Sequence, residues 1–122
     1  MPRLPMLSTA QMRHLRPHFP VPRGLRRVDD RRVISGIIYV IRYGLQWKDA
    51  PSGYGPHKTL YNRFVRWSRL GVFARIFAAL SGQSGIPEEL MIDSTHLKAH
   101  RTAASLLKKG LLHVGSDAPE VG

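Results

Sequence analysis

There is no cysteine among the 122 residues. That excludes a disulfide framework and thiolate metal sites, and it fits the cytosol. No apolar run approaches the roughly 20 residues that a membrane-spanning helix needs. The opening stretch, "MPRLPMLSTAQMRHLRPHF", lacks the apolar centre of a secretory signal, so no leader is expected. Neither an internal repeat nor a low-complexity tract is visible. Acidic residues are scarce: eight Asp and Glu face 19 Lys and Arg, for a formal net charge of +11.

What is there is unevenly placed. Residues 1–80 hold 15 Lys and Arg against three Asp, a net of +12, whereas residues 81–122 hold four against five, a net of −1. The excess is mostly arginine, whose planar fork matches phosphate oxygens and guanine edges. Such asymmetry points to a polyanion, first of all nucleic acid. The alternative is a solvated basic surface in a protein from a genome that favours arginine codons. The apolar share of 43% suits a modest core, in one domain or one domain plus part of another.

Most of the chain reads as helix. Ser8 precedes "TAQMRHLRPHF" as an N-cap, with Gln11 placed to complete a capping box. "PVPRGLRR" reads as a loop. In "VDDRRVISGIIYVIRYG", Val33, Ile34, Ile37, Ile38 and Ile41 recur at helical spacing between a capping Asp29 or Asp30 and a terminating Gly44. The run of β-branched residues also permits a strand, but spacing and caps favour the helix. "LQWKDAPSGYGPH" is turn-rich, with Trp47 expected to plug the core and a short helical turn allowed near Gln46 to Asp49. The next helix runs from Pro56 to Leu70, with Leu60, Phe64, Trp67 and Leu70 as its apolar stripe. "VFARIFAALS" is a further helix, "GQSGIPEE" a linker, Leu90 to Asp93 a short buried strand, and "TAASLLKKG" a last helix. The end, "LLHVGSDAPEVG", is expected to be disordered.

Three constellations could carry chemistry. Off the apolar stripe of the Pro56–Leu70 helix lie Lys58, Thr59, Asn62, Arg63, Arg66 and Arg69. Arg and Asn read base edges, and Arg, Lys and Thr hold phosphates, so this is the candidate DNA-binding face. Two helices with a basic second one make a helix-turn-helix plan, although the connection from Gly44 to Gly55 is long for it. A solvated basic face is the alternative. The histidines pair at four-residue spacing, His14 with His18 and His96 with His100, but two imidazoles without cysteine are too few for a structural metal site. Asp93, after three apolar residues, is either a metal-ligating carboxylate held by a strand or simply the cap of a helix beginning "DSTH".

The phrase from Gly44 through Trp47 to Pro51, the "GP" before the basic helix, "RWSRLGVF" and "IDSTHLKAHR" together resemble the front part of the bacterial insertion-sequence DDE transposases of the five-type class. The resemblance runs from about Leu7 to Gly110. It implies a small, mainly α, helix-turn-helix-like domain over residues 1–81 that meets terminal inverted repeats in double-stranded DNA. It further implies a linker at 82–89 and, over 90–110, the first strand and start of a ribonuclease-H-like catalytic domain. Asp93 matches the first acid of the triad, a ligand of Mg²⁺ in the complete enzyme. His96, Lys98, His100 and Arg101 would then lie near DNA phosphates.

The chain departs from that pattern after "LLKKG". Its only later acids are Asp117 and Glu120, in the tail at 111–122. That tail reads as the end of a first reading frame or a frameshift relic, so no tightly bound Mg²⁺ and no strand cleavage are expected of this chain alone. Three functions follow: a DNA-binding transposase part working with a second-frame or fused product, a truncated repressor of transposition, or a non-specific basic nucleic-acid-binding protein. Each places the protein in the bacterial cytoplasm, on the nucleoid when bound, with no membrane partner.

Overall fold

The computed structural model describes residues 4–20 and 29–110 and is mainly helical, with no strand among them. Its helices are α1 (Thr9–Leu15), α2 (Asp30–Tyr43), α3 (His57–Arg69), α4 (Val72–Ser81), α5 (Ser94–Ala99) and α6 (Arg101–Lys108). Short 3-10 turns at Arg16–His18, Trp47–Asp49, Ser52–Tyr54 and Glu88–Leu90 lie between them. Almost all of the Pro- and Arg-rich loop, and the tail from residue 111, lie outside the described residues.

The ends of the helices follow the local chemistry of the sequence. Ser8 Oγ accepts from the Gln11 backbone N–H at 3.1 Å and Gln11 Oε1 accepts from the Ser8 N–H at 2.8 Å, so the capping box forms. Asp29 Oδ1 accepts from the Arg32 N–H at 3.2 Å, and Gly44 ends α2 with φ +63°. That left-handed backbone is one glycine adopts without a Cβ penalty.

α2 is the axis of the bundle. Val33, Ile34, Ile37, Ile38, Val40 and Ile41 are each at most 2% exposed, so the helix is enclosed on nearly every side. A helix in that position needs apolar residues all round, which is why its β-branched run fits a helix as well as a strand. Tyr54 packs flush on it: a Cβ built on Gly36 would sit 2.6 Å from Tyr54 Cβ. The Tyr54 hydroxyl donates to the Pro5 carbonyl at 2.7 Å, and Ser35 Oγ accepts from the Leu7 N–H at 3.0 Å. These two bonds strap the N-terminal segment across α2.

α3 buries Leu60, Phe64 and Trp67. Leu70, expected on the same stripe, is 55% exposed, because the helix stops at Arg69. Gly71, at φ +74°, then turns the chain directly into α4. The tight helical turn of this fold is therefore between α3 and α4, whereas α2 and α3 are joined by a long connection holding two 3-10 turns. Trp47 in that connection is half-buried against Phe64, ring centroids 5.3 Å apart.

The expected strand at Leu90–Asp93 does not form. Leu90 closes a 3-10 turn and Met91 is extended, with Leu90 and Ile92 buried and Met91 51% exposed. The alternation of a strand is present, but none of the described residues pairs with it, and a strand without a ladder partner has no reason to persist. Ile86, Leu90, Ile92, Leu97, Ala103 and Leu106 join one hydrophobic core with α1–α4.

Candidate nucleic-acid interface and the Asp93 corner

The outer face of α3 carries cations without acids. Lys58, Asn62, Arg66 and Arg69 are exposed and Thr59 is half-buried. Spacings of four, four and three residues put the exposed four along one side of the helix. None of these four has an ion pair among the described residues, and α3 itself contains no Asp or Glu. Such a stripe presents hydrogen-bond donors at roughly helical intervals to anything anionic laid along it.

Arg63 does not belong to that face. Its Nη1 donates to Asp30 Oδ1 at 2.9 Å, with the two side chains 7% and 11% exposed. Its guanidinium lies 4.9 Å from the Trp67 ring centroid. A buried cation needs such partners, and this one braces α3 against the first turn of α2. The signal was in the sequence: Leu60, Arg63, Phe64 and Trp67 recur at three- and four-residue steps, and Asp30 is one of only three acids in the first 80 residues.

Asp93 caps α5 instead of ending a strand. Its Oδ1 accepts from the Thr95 N–H at 2.8 Å and the His96 N–H at 3.3 Å. Those donors, the His96 N–H foremost, hold the carboxyl below the usual aspartate range. The side chain is 58% exposed, and His96 Nδ1 lies 3.2 Å from Oδ1. On its far side His96 Nε2 meets Arg42 Nη1 at 3.2 Å. Arg42, Glu88, Asp93 and His96 share the wall of a cavity of about 520 Å³ whose apolar side includes Leu80 and Met91. Among the described residues no three His, Asp or Glu converge on a point that could hold a metal ion. One exposed carboxylate with a second acid across a cavity does not supply the several oxygen ligands Mg²⁺ demands, so these residues alone do not fit the ion.

The remaining expected residues divide. Lys98 and Arg101 are exposed. His100 is 4% exposed and is not open to a phosphate. Its Nε2 pairs with the Leu45 carbonyl at 2.9 Å and its Nδ1 accepts from the Thr102 N–H at 3.1 Å, which caps α6. Burial lowers its pKa, opposed by the Leu45 bond. Beside it Trp47 Nε1 donates to Thr102 Oγ1 at 3.0 Å. The break at His100 between α5 and α6 also undoes the helical i, i+4 relation with His96.

A family model described as "Putative transposase of IS4/5 family (DUF4096)" matches residues 7–77, from just before α1 into α4. "Uncharacterized protein y4sN" of Sinorhizobium fredii is 33% identical over 78 residues, covering 64% of this chain and 62% of that protein. The "Insertion element IS402 uncharacterized 16.2 kDa protein" of Burkholderia cepacia is 28% identical over 79 residues, covering 59% of this chain and 54% of that protein. The matched part of the chain thus spans between about half and six-tenths of these curated relatives. No solved structure matches the chain.

Proposed function

The chain belongs to the IS4/5 transposase family, and from that premise we propose that it is the DNA-binding front part of an insertion-sequence transposase, recognising element ends. The observation that carries this reading is the basic stripe of α3, without an ion pair among the described residues, within a segment of net charge +12. Lys58, Arg66 and Arg69 hold phosphates, Thr59 assists them, and Asn62 is the side chain suited to a base edge. The DNA is the duplex at the terminal inverted repeats. In the complete enzyme Asp93 would supply the first acid of a Mg²⁺-dependent active site, together with acids that are not among the described residues. Alone, the chain binds and does not cut.

Fluorescence anisotropy with a labelled element-end duplex and a scrambled duplex, over a salt series, tests this. Affinity falls steeply with salt, with a log–log slope of about −0.9 per phosphate contacted, and the end sequence binds more tightly. A flat salt response overturns the nucleic-acid reading, and equal affinity for both duplexes reduces it to non-specific coating. Nicking of the end duplex in Mg²⁺ or Mn²⁺, lost in Asp93→Asn, would overturn the view that the chain is inert by itself.

A further inference from the structure

The contacts around His96 cannot all be hydrogen bonds at once. Arg42 Nη1 is 3.2 Å from Nε2, the Asp93 backbone N is 3.3 Å from Nδ1, and Asp93 Oδ1 is 3.2 Å from the same Nδ1. A guanidinium only donates. The Nε2 that faces it must therefore offer a lone pair, and a neutral imidazole then carries its proton on Nδ1. An Nδ1–H cannot accept from the Asp93 N–H. It donates to Asp93 Oδ1 instead, and the 3.3 Å approach of the backbone N is a contact without a hydrogen bond.

We infer that Arg42 is a positioning residue for Asp93, acting through the tautomer of His96. With Arg42 in place, Oδ1 takes three donors: the Thr95 N–H, the His96 N–H and the His96 ring. That commits Oδ1 to the protein in a carboxylate that lines the adjoining cavity. Without Arg42, the proton is free to move to Nε2. Nδ1 then accepts from the Asp93 N–H in an ordinary capping box, and Oδ1 loses its third donor. The two tautomers are two ways of holding one acid, and the last turn of α2 selects between them. The contact comes at a cost to Arg42, whose Nε is buried without a partner among the described residues. The consequence for catalysis rests on the reading of Asp93 given above, but the selection does not.

The test is ¹⁵N and ¹³C NMR of the 122-residue chain. Long-range ring correlations show His96 as the Nδ1–H tautomer in the wild type, and Arg42→Lys, which keeps a donor, retains it. Arg42→Met shifts the ring toward Nε2–H, because the donor that held the Nε2 lone pair is lost. An Nε2–H ring in the wild type overturns the proposal whether or not any variant folds. So does an unchanged ring tautomer in a folded Arg42→Met. A separate experiment addresses the acid itself. If Asp93→Asn in the complete element still transposes while the wild-type chain shows Nδ1–H, the reading of Asp93 fails and the selection by Arg42 stands.

Discussion

Arg63 and Arg66 stand three residues apart on α3 and lead opposite lives. One is folded onto Asp30 and Trp67 beneath the surface, and the other faces solvent with no ion pair among the described residues. At the far end of α2 another cation is held by a partner. Arg42 points its charge at His96 while its neighbour Tyr43 is exposed. A cation in this fold is a brace when it falls on the edge of an apolar stripe within reach of a rare acid, and it faces solvent when it does not. The two classes predict different experiments, since a brace carries stability and, under the proposed function, a surface cation carries binding.

The comparison breaks most completely if its shared support is removed. Trp67 is 2% exposed and packs on Phe19, Phe73 and Arg63. Trp67→Ala should cost about 3–5 kcal/mol in urea unfolding and take DNA binding with it. Next comes the brace. Arg63→Met takes from Asp30 one buried, charge-assisted hydrogen bond and should cost about 1.5–3 kcal/mol. The Asp30→Asn, Arg63→Met double variant should recover much of that loss, and a cost no smaller than the single variant's would mean that the pair is not what Arg63 supplies.

Gly36→Ala should cost about 1–3 kcal/mol by denaturant midpoint, because the new Cβ meets Tyr54 at the root of its side chain and not at a flexible end, so α2 or the Tyr54 turn must shift. In an exposed helix the same change would stabilise by up to about 1 kcal/mol. A neutral or stabilising outcome would show that Tyr54 and α2 are less closely seated than described.

A smaller effect belongs to pH. His100 has its pKa lowered by burial, so the unfolded chain binds a proton more readily than the folded one. Stability is full above the ordinary histidine value of about 6.5 and declines as pH falls below it toward the folded value. His100→Gln should flatten that decline, read as Tm between neutral and mildly acidic buffer. The smallest effect on stability is the sharpest for the comparison. Arg66→Ala with Arg69→Ala should leave Tm within the change that about 0.5 kcal/mol produces. The magnitude of the log–log salt slope of DNA binding should fall by about 2. Unchanged affinity would move the DNA-facing surface away from α3.

The helices were legible because their signals are local. Ser8 with Gln11, Asp29 and the glycines at 44 and 71 act within a few residues, through bonds and backbone angles that no distant contact needs to complete. The site was legible only in part. Exposure of Lys58, Asn62, Arg66 and Arg69 followed from the stripe they avoid, but Arg63 and His100 look the same as surface cations in a sequence until Asp30 and the Leu45 carbonyl are placed beside them. Leu90 to Ile92 kept its alternating pattern, yet a strand is a relation between two chains of peptide groups, and its sequence names only one.

The sequence alone therefore determined a mainly helical chain with its positive charge gathered in the first two-thirds, together with the phrases that tie it to its family. Tertiary structure alone decided which cations are free. It put Arg63 against Asp30 across 33 residues and Arg42 against His96 across 54. The reason is physical: a charge in water costs nothing to leave alone, whereas a charge carried inside by its neighbours must find a partner, and only the packed fold determines which partner is within reach.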